Sequence, residues 1–255
     1  MFNQITIASY LPFLERKQHI KNFMSRASEL DIPITCDTFR QAAVASLLSE
    51  HIESQNVSRP SVLVIGDGFG VLSSLLKTKF PEARFTLVDL GKVLLFQNMH
   101  LQVSFPEAKF YLQTPETSRA EDWDFRFVAA EQVRDVRLEE DFFDLVINVA
   151  SMQEMTGAWI ELYFALIRKT IKEGGLFYCC NRAKKILNEN EVIEIEKYPW
   201  RSADRLIFFE EPPFYRWFFS YRRTPIHLKV FGIPVPFGRR FDGEMRHCLV
   251  RLTKS

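Results

Sequence analysis

Residues 62–70 read VLVIGDGFG: an apolar run passes directly into a turn with three glycines in five positions, and then into the helix-compatible stretch VLSSLLKTK. Few features constrain a fold more. An unbroken apolar run is the pattern of a strand buried on both faces, and such strands belong to parallel sheets covered by helices. Glycines at the strand's end let the backbone turn sharply and come close to a ligand with no side chain between them. The helix that follows aims its unpaired N–H groups back at the same spot. The chain is therefore expected to be α/β, with a ligand-binding turn at the carboxyl end of its first sheet strand. The spacing narrows the ligand. A dinucleotide-binding turn reads G-x-G-x-x-G, which would need a third glycine at position 71; that residue is Val71, and the sequence has G-x-G-x-G instead.

Short apolar runs alternate with helical periodicity along most of the chain, as a parallel sheet with crossover helices requires. The expected strands are Val62–Ile65, Arg84–Val88, Phe125–Ala129, Phe143–Val149, Leu176–Cys180, Arg205–Phe209 and Met245–Leu252. Helices are expected over Val71–Lys79, Lys92–Leu101 and Trp159–Lys172, the last stopping at Gly174-Gly175. Ahead of the sheet, Leu14–Leu30 and Asp37–Ile52 show amphipathic spacing, with Asp37 or Thr38 as the cap of the second helix. This divides the chain into an N-terminal helical cap or interface segment, 1–58, and a catalytic domain, 59–255. A length of 255 residues is ample for such a core. Thirty-three Lys and Arg against thirty-two Asp and Glu leave no global field to attract nucleic acid. No apolar run approaches the roughly 18 residues of a membrane span, and no secretory leader is recognisable. Cys36, Cys179, Cys180 and Cys248 form no C-x-x-C pair and read as reduced thiols of a cytoplasmic protein.

The G-x-G-x-G turn is the form found in S-adenosylmethionine (AdoMet) enzymes of the Rossmann-like class, which hold an amino acid over the turn where dinucleotide enzymes hold a pyrophosphate. Gly66, Asp67, Gly68 and Gly70 are its candidate cofactor contacts. The next strand ends in Asp89, where a carboxylate accepts the ribose hydroxyls of an adenosine, or alternatively caps the helix before Gly91. Two residues before the first glycine, where an acid is usual, stands Val64; Asp67 within the turn is a stand-in for part of that role. Glu131 and Gln132 follow the third expected strand at the place of an adenine contact, and Asn148 ends the fourth beside the crevice.

The segments NVASMQEM (Asn148 to Met155) and GGLFYCCNR (Gly174 to Arg182), taken with VIGDGFG, resemble the sugar O-methyltransferases of bacterial surface-polysaccharide gene clusters. The resemblance covers roughly residues 60–182. It implies a class I methyltransferase sheet, mostly parallel, of seven strands with the last antiparallel, and an N-terminal helical extension. It also implies AdoMet as cofactor, S-adenosylhomocysteine as product and a sugar or sugar carrier as acceptor.

Methyl transfer to oxygen is an in-line displacement that needs alignment and removal of a hydroxyl proton. Glu154 is the first candidate base, or else a cap of the following helix. His227 is the second, and His247, inside an apolar strand, reads as a packed core residue. A metal would need two or three clustered carboxylates, so a metal-free route is expected. Ser151, Gln153, Asn181 and Arg182 stand on the acceptor side, Arg182 being suited to a phosphate or else to a surface salt bridge. Twenty-four phenylalanines are a large share of the chain, and many fall in an insert at about 210–241 that also carries arginines and prolines. That insert is an acceptor wall, a peripheral contact with the inner membrane surface, or packing within the chain or a homo-oligomer.

Overall fold

The computed structural model describes residues 17–117, 122–188, 190–212, 229–230, 233–234 and 244–254. Two helices come first, α1 (Lys17–Glu29) and α2 (Cys36–Ser54). Then follow β1 (Ser61–Ile65), α3 (Val71–Lys79), β2 (Arg84–Asp89), α4 (Gly91–Ser104), β3 (Phe110–Gln113), β4 (Phe125–Ala129), β5 (Phe143–Val149), α5 (Gly157–Thr170) and β6 (Ile171–Arg182). The chain closes with a hairpin of β7 (Lys184–Ile186) and β8 (Val192–Glu194), then β9 (Arg205–Glu210), the two-residue strands β10 (Lys229–Val230) and β11 (Ile233–Pro234), and β12 (Met245–Arg251).

Eight strands form one sheet in the order β3-β4-β2-β1-β5-β6-β12-β9. All pairs from β3 to β6 are parallel, and β12 runs antiparallel to both β6 and β9. The seven expected strands are all present, and the eighth, β3, extends the sheet at one edge. The seven-strand expectation missed it because its four residues, FYLQ, carry too short an alternation to stand out.

The sheet is sandwiched. On one face α1 to α4 share a core with it, Ile20, Phe23, Leu48, Leu72 and Leu101 packing on Val62, Phe85 and Ile147. On the other, Ile160, Phe164 and Ile167 of α5 pack on Leu63, Val146 and Phe177. Both faces of β1 and β5 are buried along their whole lengths, which is why those segments are continuously apolar.

Two expected helix boundaries are corrected. Thr35, not Asp37 or Thr38, caps α2: its hydroxyl accepts from the Thr38 N–H, and the Thr38 hydroxyl returns a bond to the Thr35 N–H. Helix α5 stops at Thr170 rather than reaching Gly174, because the fully buried Ile171 already pairs with Phe143 in the sheet. Gly174 and Gly175 instead lie inside β6, where the β5–β6 register shifts.

A buried ion pair fastens the end of the chain. Asp204, immediately before β9, takes a two-pronged bond from Arg168 of α5 (2.8 and 2.7 Å) and also the Thr253 N–H, just past β12 (2.9 Å). It sits at the amino ends of the parallel strands, opposite the glycine turn. Among the described residues no helix is long and apolar enough to cross a membrane.

Candidate functional site

The carboxyl ends of the parallel strands converge on the glycine turn. Gly66, Gly68 and Gly70 all have positive φ (76°, 63° and 78°), a conformation that L side chains rarely adopt. The first two glycines serve different purposes. A Cβ at Gly66 would lie 2.2 Å from the Ser151 Oγ, so the turn there is pressed against the residue that follows β5. A Cβ at Gly68 would meet nothing within 4 Å, so the backbone there opens on free space.

Asp67, between them, faces away from that space. Its carboxylate accepts from the Leu72 N–H (3.3 Å), the Ser73 N–H (3.0 Å) and the Ser73 hydroxyl (2.5 Å), capping α3 in place of the side chain that Gly70 lacks. Burial pushes its pKa up to about 7, against the lowering effect of the Ser73 and Leu72 bonds. The sequence expectation put Asp67 on the cofactor; the structure gives its carboxylate to the helix.

Asp89, at the end of β2, leans across the turn. Its Oδ2 accepts from the Gly68 N–H (3.1 Å) and from Gln97 Nε2 (2.8 Å), and its Oδ1 from the Leu90 N–H (2.9 Å). Burial raises its pKa above the usual carboxylate value despite those bonds. Three of about four acceptor positions are thus in use, and Oδ1 keeps a lone pair. Helix α4 is capped by another residue: both oxygens of Glu131 accept from the Gly91 N–H (3.2 and 3.1 Å). Gln132 lines a cavity of about 560 Å³ together with Gly91 and Ala129.

Gln97 is the member of this group that the sequence reading missed. It lies on α4, fully buried, with its Oε1 unpartnered among the described residues. The available signal was an amide on the inward face of a helix, three residues after Leu94 and four before Leu101, both buried.

The ends of β5 and β6 are arranged differently. Asn148 is fully buried and bonds to the Ile65 carbonyl (2.9 Å), the Ser151 hydroxyl, the Met152 N–H (3.3 Å) and Asn181 Nδ2 (2.7 Å). Asn181 Oδ1 accepts from the Gln153 N–H (3.0 Å), Gln153 Oε1 accepts from the Arg182 N–H (2.8 Å), and the Ser151 hydroxyl donates to the Ile65 carbonyl (3.0 Å). The sequence reading placed Asn148 on the cofactor, and Ser151, Gln153 and Asn181 on the acceptor. Their side chains instead bond to one another and to the strand ends, because buried polar groups must be satisfied where they stand.

Glu154, about half exposed, is held by Lys185 of β7 at 2.7 Å to each oxygen. Burial raises its pKa, but the Lys185 and Gln153 bonds outweigh this and hold it below the usual value. It does not cap α5: the Gly157 N–H goes to Glu191 from the β7–β8 hairpin (2.8 Å). Arg182 ends β6 partly exposed. His247 is buried as expected, bonded through Nδ1 to the Tyr178 hydroxyl (3.1 Å), and it lies two strands beyond β5. His227 and most of the aromatic insert lie outside the described residues. Among the described residues no cluster of His, Cys, Asp and Glu is placed to hold a metal ion.

Comparison with solved structures agrees with this geometry. The chain is similar to a protein described as a sarcosine dimethylglycine methyltransferase from Galdieria sulphuraria, at 12% identity and a TM-score of 0.55 over 85% of this chain and 88% of that one. It is similar to coclaurine N-methyltransferase bound to N-methylheliamine and S-adenosylhomocysteine, at 12% identity and 0.53 over 94% and 88%. It is also similar to geranyl diphosphate methyltransferase in complex with S-adenosylmethionine, at 12% identity and 0.53 over 82% and 85%. No protein-family model and no curated protein sequence matches the chain. At such identities the likeness defines the fold: the chain has the class I AdoMet-dependent methyltransferase fold.

Proposed function

We propose that this protein is an AdoMet-dependent O-methyltransferase acting on a sugar hydroxyl. One observation carries the cofactor reading: the open backbone at Gly68 faces Asp89 across a hydrogen bond of 3.1 Å, at the point where β1 and β2 end side by side. The residues present fit an adenosyl group. Gly66, Gly68 and Gly70 would let its amino-acid portion approach the backbone, Asp89 would accept from a ribose hydroxyl through the remaining lone pair of Oδ1, and Glu131 and Gln132 would border the adenine. When bound, the sulfonium supplies a methyl group already activated by its positive charge.

What remains for the protein is alignment and proton removal. The Asn148–Asn181–Gln153 network fixes the ends of β5 and β6, and so fixes the floor on which an acceptor sits. Arg182 is the polar group at that floor whose guanidinium suits a phosphate on a sugar carrier. Glu154 is the first candidate for the hydroxyl proton: Lys185 keeps it ionised, hence able to accept, while lowering its basicity. His227 is the second. The sugar itself rests on the resemblance of residues 148–155 and 174–182, and the route needs no metal.

The test is a thermal-shift titration with S-adenosylhomocysteine and, separately, with NAD. At a ligand concentration of about 100 times Kd the binding partner should add roughly 2.7 kcal/mol, or about 5–10 °C in Tm. A shift with S-adenosylhomocysteine alone supports the reading. No shift with either replaces it by a binding or assembly subunit on the same fold, for which Val64 speaks, and a shift with NAD alone overturns it. Once an acceptor is in hand, Glu154→Gln with unchanged turnover would remove Glu154 as the base.

A further inference from the structure

Asp67 is a carboxylate without a counter-charge. It lies inside the glycine turn, between Gly66 and Gly68, and is buried. Its bonds come from the Leu72 N–H, the Ser73 N–H and the Ser73 hydroxyl, all neutral donors, and among the described residues no cation pairs with it. The charge that does act on it has its own sign: Asp89 of β2, which accepts from the Gly68 N–H, pushes the Asp67 pKa in the same direction as burial. The other titratable groups around the turn leave this imbalance standing. His100 of α4 bonds to the Ser74 hydroxyl (3.0 Å) and has its pKa lowered by burial, so it adds no charge near neutral pH. Tyr163 of α5 has its pKa raised by burial and stays a neutral phenol, and both oxygens of Glu131 accept from the Gly91 N–H. The result is a buried acid that titrates at about pH 7, next to the backbone that opens on the cofactor space.

We propose that Asp67 discriminates between the two charge forms of the cofactor: loading the sulfonium donor drives a proton off its carboxyl, and exchange for the thioether product lets that proton return. The inference rests on the cofactor reading of the glycine turn. AdoMet and S-adenosylhomocysteine differ by one methyl group and one positive charge, so contacts alone separate them little. A buried carboxyl with no cation of its own separates them by charge, because little water stands between it and a cation arriving at the turn. The sign follows from linkage. A positive ligand favours ionised Asp67 and so lowers its pKa in the complex; a proton is then released on binding, and the ligand binds more tightly as pH rises through the range in which free Asp67 titrates. The neutral sulfur of the product carries no such preference. Asp67 acts without touching the ligand, since its oxygens face the start of α3. The protein thereby favours donor over product increasingly toward pH 7 and above, which eases release of the product after transfer.

Titration calorimetry on the full chain tests it, with AdoMet and separately with S-adenosylhomocysteine, in buffers of different ionisation enthalpy so that released protons are counted. Between about pH 5.5 and 7.5 AdoMet should tighten about fivefold, with proton release, while S-adenosylhomocysteine changes by less than about twofold. In Asp67→Asn the change for AdoMet should fall to about twofold or less. The amino group of the ligand and Asp89 titrate in both proteins, so the difference between the proteins belongs to position 67. Carbon-13 carboxyl NMR of the wild-type chain needs no variant: Asp67 should titrate near pH 7 in the free protein, lower with AdoMet bound, and nearly unmoved with S-adenosylhomocysteine. An Asp67→Asn protein that keeps the wild-type pH dependence overturns the proposal, as does an Asp67 titration that AdoMet leaves in place. Tight binding of both ligands with no pH dependence overturns this inference alone, whereas failure of both to bind overturns the cofactor reading and this inference with it.

Discussion

The ends of β1 and β2 and the ends of β5 and β6 lie side by side in one sheet, and both carry polar residues directly after apolar strands, yet they use them in opposite ways. At the first pair the backbone does the work: glycines clear a space, and Asp89 leans over it with a lone pair to spare. At the second pair the side chains of Asn148, Ser151, Gln153 and Asn181 close on each other, and Glu154 is held by Lys185. A polar residue at a strand end is thus a candidate ligand contact only when its bonding capacity exceeds what its neighbours use. Asp89 passes that test because the Gly68 and Leu90 N–H groups and Gln97 leave a lone pair on Oδ1, the Gly91 N–H at the start of α4 going to Glu131. Asn148 fails it because four neighbouring groups depend on it.

The contrast is sharpest in stability. Asn148→Ala should cost about 3 kcal/mol, since it removes a fully buried side chain with four partners and leaves several unsatisfied. Urea denaturation would show it, and a loss below about 1 kcal/mol would break the claim that this end is structural. Next come the two glycines. Gly66→Ala meets Ser151 and should cost about 2–3 kcal/mol, whereas Gly68→Ala carries only the backbone strain, about 1 kcal/mol, while a Cβ enters the open space. Calorimetry with S-adenosylhomocysteine should therefore find Gly68→Ala weakened about tenfold or more, equivalent to roughly 1.4 kcal/mol, in a protein of nearly normal Tm.

Asp89→Asn should weaken the same ligand about tenfold, and Gln97→Leu about threefold by freeing the Asp89 carboxylate to turn, both changes being worth roughly 0.6–1.4 kcal/mol. If Gln97→Leu binds as tightly as wild type, the buried amide has no part in orienting Asp89. Asp67 is read by pH rather than by affinity at a single pH. A carboxyl whose folded pKa is raised to about 7 binds a proton in the folded state that the unfolded chain has already lost above about pH 4, so its contribution favours folding at low pH and fades as pH rises through about 7. Tm measured from pH 4 to 8 should fall more steeply with rising pH in wild type than in Asp67→Asn.

The layered fold was legible because β1, β5 and β6 announce themselves as apolar runs and the crossover helices as periodic ones. The edge strand β3 was not, since four half-buried residues leave little pattern. In the site, Gly66, Gly68, Gly70 and Asp89 could be read from one strand–turn–helix–strand segment, β1 to β2. Asp67 and Asn148 could not. The direction in which each turns depends on partners that arrive from elsewhere, Ser73 after the turn and Asn181 thirty-three residues further along the chain. Gln97 was hidden for the same reason, as its partner Asp89 belongs to a different element.

The anchor at Asp204 has a consequence for how this chain can change over time. Strands β9 and β12 are tied together with α5 at the end of the sheet remote from the glycine turn, through Arg168, Asp204 and Thr253. The chain between Glu210 and Met245 leaves and returns at the opposite end. That stretch can therefore be lengthened, shortened or exchanged as a cassette without unfastening the strands that carry it, so its length and composition can diverge among descendants while the sheet and the glycine turn stay as they are.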